Sequence, residues 1–447
     1  MQRIRSAFFI ALLISFASAS AGQAQSIPAS SPGQLERFTG IYAITPGKFI
    51  YIQPWPGGDG TLLYTSEAGQ LRVLTFAAPN VFTAGPGLLL HSPVELKISF
   101  AENSHGQVTR LIRRGNGVRD TAATKLDSYR RENVSFRGVA GAITGVLLSP
   151  PGAGPHPAIV LIHGTGRTDR YNVLPIAHFL VSHGVALLGY DKRGVGGSAG
   201  DWRTASLDDL ADDAVSAVEY LQGRKEIDPK RIGVFGASQG GWVAPLAASK
   251  SAGKSNGIAF VMSVSGPAMS PAEVELARLE YALRSRGASE DDTRDALELV
   301  KRANDLARGR ESWASFNVFL ERAKNAPWFR FVSVPLAADS WLLEHWRRMP
   351  LDYDPAPVIA RLHVPVLTMF GAVDETVLPE KNAARWRAAL DAGGNKSFAI
   401  QIFPNANHML LEAQTGSEEE FPALQRFVPA FQTTVLDWLR TRGFIQR

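Results

Sequence analysis

Ser238 stands between Gly236 and Gly240 in RIGVFGASQGGWVAPL, residues Arg231–Leu246. A short β-branched and aromatic run (Ile232, Val234, Phe235) precedes it, and the helix-compatible Trp242-Val243-Ala244-Pro245-Leu246 follows. This order predicts a strand that turns sharply into a helix with the serine at the apex. Side chains two residues to either side would crowd that turn, and glycine at both places relieves it. A serine hydroxyl is a weak nucleophile at neutral pH, so it needs a histidine base and an acid that orients the imidazole. Asp374 in FGAVDETV and His408 in FPNANHML supply those types, in the chain order serine, acid, histidine. Each lies just past an apolar run, Val366–Phe370 and Phe398–Phe403, as the carboxyl ends of sheet strands require. Glu375 and Asp354 are the alternatives for the acid. The other histidines precede Ser238 or stand at His345 and His363.

The pattern G-x-S-x-G by itself decides little, since it also surrounds Ser198 (GGSAG) and Ser255 (GKSNG). Only Ser238 has an apolar strand before it and a helical pattern after it. Attack by this hydroxyl would create an oxyanion, which needs two fixed backbone N–H groups aimed at it. One is expected from Gln239, directly after the nucleophile. The other is expected from the loop after Ala158–Ile162, His163-Gly164-Thr165-Gly166, through the N–H of Thr165. His163 is expected to brace that loop. The segment Tyr190–Ser198, YDKRGVGGS, reads as the floor of the site, with an ion pair inside it.

Composition bounds the rest. Of 447 residues, 45% are hydrophobic and 20% charged, which describes a globular chain long enough for two folded units. The formal charge of +5 is too mild and too scattered to argue for nucleic acid. There is no cysteine, which excludes a thiol nucleophile, a cysteine zinc site and a disulfide framework. Arg3 and Arg5, the apolar run Ala7–Ala17 and small residues around Ala21 and Ala24 read as a cleavable secretory signal over residues 1–24. That run is shorter than the roughly 20 residues a membrane span needs, so no stable membrane insertion is expected.

Residues 25–33 read as a flexible lead-in. Residues 35–130 carry short apolar runs (Phe49–Ile52, Thr61–Tyr64, Leu71–Phe76, Leu88–Leu90, Glu95–Phe100, Val108–Ile112) punctuated by turn residues, which predicts a small antiparallel β-domain. Residues 132–447 read as an α/β domain. It has lead strands at Val134–Phe136 and Ile143–Leu148 and buried parallel strands at Ala158–Ile162, Val185–Tyr190, Ile232–Phe235, Ile258–Val264, Val366–Phe370 and Phe398–Phe403. Ser206–Gln222 is an amphipathic helix capped by Ser206, Asp228-Pro229 reads as a turn, and Phe421–Gly443 reads as the closing helix. Residues 267–350 interrupt the alternation as a helical insertion rich in Trp and Phe, expected to form a cap over the strand ends.

HGTG, YDKRGVGGS, RIGVFGASQGG, GAVDETV and NANH, in this order, resemble the α/β-hydrolase superfamily. More narrowly they resemble bacterial serine carboxylesterases with an N-terminal β-domain and an inserted cap, of the dienelactone-hydrolase and prolyl-oligopeptidase-like branch. The resemblance implies a doubly wound, mostly parallel sheet with Ser238, Asp374 and His408 as nucleophile, acid and base. It implies hydrolysis of short to medium acyl esters through an acyl-enzyme, with a small-molecule ester as partner and neither cofactor nor metal. The alternatives are a serine peptidase of the prolyl-oligopeptidase type, an acyl thioesterase, or a binding protein on a hydrolase scaffold. With an export signal the expected location is periplasmic or secreted. The oligomeric state is left open. Relatives often carry another polar residue where Gln239 stands; since only its backbone is needed, the difference is expected to matter little.

Overall fold

The computed structural model describes residues 35–446, apart from 56–60, 116–117, 127–128 and 172–175. The expected signal and lead-in lie outside the described residues. Eight antiparallel strands come first: β1 (Gly40–Thr45), β2 (Lys48–Pro54), β3 (Leu62–Ser66), β4 (Leu71–Ala78), β5 (Val81–Ala84), β6 (Leu96–Glu102), β7 (Val108–Gly115) and β8 (Val118–Lys125). Pairing of β1 with β8 closes them into a barrel. Tyr42, Ile50, Ile52, Leu62, Tyr64, Leu74, Phe82, Ile98 and Leu111 fill the interior, as side chains do in a barrel of this size. The alternate residues Ile41, Tyr51, Leu63, Leu71 and Val73 face outward and share a core with Phe179, Leu180, Phe427 and Phe431 of the second unit. The β-domain is therefore apolar on both faces of its first four strands, and one face is its joint with the rest of the chain.

The barrel departs from the expected strand set. Leu88–Leu90 is not a strand; Leu88 N–H donates to Leu424 O at 2.7 Å, tying this loop to the far end of the chain. β5 and β8 take its place in the sheet, and neither carries the apolar alternation that marks a strand in sequence.

The second unit is an eight-stranded sheet: β9 (Arg130–Gly138), β10 (Gly141–Ser149), β11 (His156–Ile162), β12 (Ala186–Tyr190), β13 (Ile227–Ala237), β14 (Val261–Val264), β15 (Val366–Gly371) and β16 (Phe398–Phe403). Its spatial order is β16-β15-β14-β13-β11-β12-β10-β9. All neighbours from β16 to β12 are parallel, and β10 is antiparallel to both β12 and β9. Strand and helix alternate and cover both faces, so the sheet is doubly wound, as the buried apolar runs required. The helix Leu207–Gln222 starts as expected, with Ser206 and Asp209 forming a reciprocal capping box. Asp228-Pro229 lies inside β13 as an irregularity: His156 faces Ile227 while Ala158 faces Ile232 on the neighbouring strand. The closing helix is shorter than expected, Ala430–Thr441, because Pro422 and Pro429 hold the preceding residues out of it.

Between β14 and β15 stand the helices Pro271–Ser285, Glu290–Ala307, Trp313–Ala323 and Trp341–Arg348, plus a 3-10 turn at Pro327–Phe331. Residues 332–340 are not helical, so the insertion is not helical throughout. Phe316, Trp328 and Trp346 are buried in its own core with Leu279, Leu299 and Leu343. Trp341 is not: it is 45% exposed and meets Trp202 and His345 where the cap touches the sheet domain.

Candidate active site

β13 ends at Ala237 and the helix Gly240–Ser251 begins three residues later, so Ser238 must reverse the chain at once. It does so at φ +53°, a region that side chains disfavour and that active-site residues occupy when the surroundings hold them there. Its N–H is held by Val264 O at 3.0 Å, and its carbonyl accepts from Gly241 N at 2.7 Å. The flanking glycines answer to contacts. A Cβ on Gly236 would lie 2.1 Å from Gly240 O, and one on Gly240 would lie 2.7 Å from Ile162 O. Ser238 itself is half-buried. Ser198 accepts from Thr144 N at 3.0 Å and donates to Asp191 O at 2.8 Å, a structural role, and Ser255 lies exposed in a turn.

Asp374 follows β15 and His408 follows β16, and the structure brings them together: His408 Nδ1–H donates to Asp374 Oδ2 at 2.8 Å. The other carboxylate oxygen accepts from Thr376 N at 2.8 Å and Val377 N at 2.9 Å. This buried carboxylate therefore has both oxygens occupied, and the imidazole is fixed with Nε2 left to carry or receive a proton. Glu375, the neighbouring candidate, instead pairs with Arg286 of the cap at 3.0 Å, and Asp354 caps Ala356 N at 2.9 Å.

The histidine loop is braced from several sides. Asn407 Oδ1 accepts from Met409 N and Leu411 N, both at 3.0 Å, and Ser265 Oγ donates to His408 O at 2.8 Å. Gly371 at the end of β15 lets this loop pass: a Cβ there would lie 2.2 Å from Ala406 O and 2.3 Å from Asn407 O. Among the described residues no hydrogen bond joins the Ser238 hydroxyl to the His408 ring. The two are connected through the backbone, from Ser238 N to Val264 O and from the adjacent Ser265 to His408 O.

The loop after β11 lies against the serine. A Cβ on Gly164 would sit 3.5 Å from Ser238 Cβ, so the loop passes close to the nucleophile just before Thr165. Among the described residues neither the Thr165 N–H nor the Gln239 N–H has an acceptor. His163 is buried, and its Nε2 donates to Tyr190 O at 2.5 Å. Burial, reinforced by Lys192 nearby, holds its pKa down at about 3, so it braces the loop as a neutral ring.

The YDKRGVGGS segment departs from the expected internal ion pair. Asp191 pairs with Arg170 at 2.6 Å, and Arg193 pairs with Asp213 at 2.7 Å and Asp209 at 3.0 Å. Lys192 is left pointing inward. It donates to Gly164 O at 2.9 Å and to the side-chain Oε1 of Gln239 at 2.8 Å. The Gln239 side chain is thus engaged behind the site, a contact that lies outside the backbone role expected of this residue. A lysine two residues past a buried strand, between two charges of opposite sign, was the available signal, but sequence does not reveal which partner each charge takes.

Among the described residues no group of three or more His, Asp or Glu side chains is placed to hold a metal ion. No helix among them is long and apolar enough to cross a membrane.

The alpha/beta hydrolase family matches residues 159–419. Esterase EstD of Thermotoga maritima is 29% identical over 300 residues, covering 65% of this chain and 62% of its own, so the chain spans under two thirds of that relative. The quorum-quenching protein AidA of Acinetobacter baumannii is 35% identical over 86 residues, 19% of this chain and 28% of its own. Among solved structures, an esterase of Pyrococcus furiosus superposes with a TM-score of 0.45 at 15% identity, covering 70% of this chain and 92% of that one.

Proposed function

Because the chain belongs to the alpha/beta hydrolase family, we propose that it is a serine hydrolase cleaving carboxylic esters of short to medium acyl chains through an acyl-enzyme. The observation that carries this is the 2.8 Å pair of Asp374 and His408 at the ends of adjacent strands of the sheet that also carries a serine held at φ +53°, linked to the histidine loop through Val264 and Ser265. In the mechanism, His408 Nε2 removes the Ser238 proton as Oγ attacks the ester carbonyl. Asp374 keeps the ring in the tautomer with Nδ1 protonated and stabilises the imidazolium that forms. The N–H groups of Thr165 and Gln239 receive the oxyanion, and the imidazolium then protonates the departing alkoxide. Water, deprotonated by the same nitrogen, attacks the acyl-enzyme and regenerates the serine. The similarity to the esterase EstD supports the ester as substrate class. We extend the proposal to export into the periplasm or medium, on the strength of Arg3, Arg5 and the apolar run Ala7–Ala17.

Hydrolysis of p-nitrophenyl acetate and butyrate tests the activity. The parent is expected to turn over both, and Ser238→Ala to lose several powers of ten in kcat, as loss of a triad nucleophile does. Turnover that persists in Ser238→Ala rejects the assignment. A peptide library run alongside separates an esterase from a peptidase.

A further inference from the structure

Lys192 is 3% exposed, yet among the described residues its ammonium has no carboxylate as a hydrogen-bond partner. A buried ammonium is costly to desolvate, and a carboxylate is the usual compensation. Asp191, its neighbour in the chain, is taken up by Arg170, and Asp213 by Arg193. Nζ is satisfied instead by two neutral oxygens, and the identity of those oxygens is informative.

The first is the carbonyl of Gly164. That carbonyl and the N–H of Thr165 belong to one peptide plane, and resonance makes them a rigid, oppositely directed pair. Holding the oxygen at 2.9 Å from Nζ therefore fixes the direction in which the Thr165 N–H points. A cation on the oxygen also polarises the plane and strengthens the N–H as a donor. The second oxygen, at 2.8 Å, is Oε1 of Gln239, whose own backbone N–H is the other expected oxyanion donor. One ammonium thus ties, from behind, the two separate segments whose N–H groups must converge on one atom.

We propose that Lys192 is a positioning residue of the oxyanion hole, and that turnover requires its ammonium to be charged. This rests on the reading of Ser238 as nucleophile and of Thr165 and Gln239 as oxyanion donors. The surroundings support it. His163 faces Lys192 from the end of β11, and His345 faces it from the cap helix Trp341–Arg348, its Nδ1 on Arg203 O at 2.8 Å. Burial, with Lys192 adding to it, keeps both rings below the ordinary histidine range. The other charges around it are the closed pairs Asp191–Arg170 and Arg193 with Asp213 and Asp209. Burial alone brings the Lys192 ammonium down to about 7. Rising pH therefore neutralises it: the amine keeps two N–H donors but loses the charge that strengthens both hydrogen bonds, and its hold on both segments weakens.

The test compares the parent, Lys192→Met, Lys192→Arg and Gln239→Leu on p-nitrophenyl butyrate, with active sites counted by a fluorophosphonate probe. Lys192→Met is expected to lose about 100-fold in kcat with KM changed by less than about 3-fold, the signature of a lost transition-state contact. Lys192→Arg, which keeps the charge, is expected to recover about tenfold of that loss. The parent is expected to lose kcat on the alkaline side as Lys192 deprotonates, and Lys192→Arg to shift that limb upward by about two pH units or more. If Lys192→Met does not fold, Gln239→Leu carries the same test, with an expected fall of about tenfold in kcat at unchanged KM. A folded Lys192→Met with kcat within about 3-fold of the parent overturns the proposal, as does a parent kcat that stays flat from about pH 6 to about pH 10. A parent that hydrolyses the ester while those results fail sinks the positioning role alone. A parent inert to both ester and probe sinks the hydrolase reading, and the positioning role with it.

Discussion

Ser265 Oγ donates to the carbonyl oxygen of His408 at 2.8 Å, joining the end of β14 to the loop that carries the base. Ser265 is 1% exposed and held at φ +48°, and the residue before it, Val264, holds the N–H of Ser238. Nucleophile and base are thus referred to the same two residues.

Ser265→Ala is therefore expected to cut kcat by about tenfold while leaving KM near the parent value, since the imidazole loses a backbone anchor. The buried acceptor left behind is expected to lower stability by about 1–2 kcal/mol. Steady-state kinetics and urea unfolding check the two parts separately.

Asp374→Asn keeps the shape of the acid but can offer its NH2 to His408 Nδ1, favouring the wrong tautomer. A loss of about 10,000-fold in kcat is expected, with little change in the unfolding midpoint. A loss below about tenfold, measured on the folded variant, transfers the acid role elsewhere.

Gly371→Ala places a methyl group about 2 Å from two carbonyl oxygens of the histidine loop. Those atoms are backbone and cannot swing aside, so the loop must move. The variant is expected to lose more than about 2 kcal/mol of stability and to react with a fluorophosphonate far more slowly than the parent. Parent-like labelling together with a parent-like urea midpoint contradicts the steric account.

His178 is buried between the barrel and the sheet domain, its Nδ1 3.3 Å from Gln53 Oε1 and its ring edge-on to Tyr129. Burial, helped by Arg131, holds its pKa at about 3. The folded state thus binds the proton less well than the unfolded chain, whose histidine titrates near 6.5. Stability is fully present above about pH 6.5 and falls as pH drops from there towards about 3. Urea midpoints measured across that window are expected to fall, and His178→Phe to flatten part of the slope. An unchanged slope removes His178 from the account.

Much of this was legible because steric and ordering rules act locally. Gly236 and Gly240 around Ser238 announce a turn that tolerates no side chain beside it, and Asp374 and His408 follow apolar strands in the required order. What escaped depends on distant partners. Closure of the barrel turns on β8, VRDTAATK, whose polar alternation carries almost no apolar signal. The displaced start of the last helix depends on where Pro429 falls relative to a strand-like contact of Phe427 with Leu411. Asp191, Lys192 and Arg193 are consecutive in sequence, and only the fold assigns Asp191 to Arg170 and Arg193 to Asp213, leaving Lys192 to Gly164 and Gln239.

The most direct measurement is to map, by peptide mass spectrometry, the adduct that a fluorophosphonate probe leaves on the parent protein. A single modification is expected on the peptide carrying Ser238, formed in parallel with loss of ester hydrolysis and absent from Ser238→Ala and strongly slowed in a His408→Ala variant. Ester hydrolysis that survives complete labelling, or an adduct that maps to another residue, contradicts the assignment of this serine as the nucleophile.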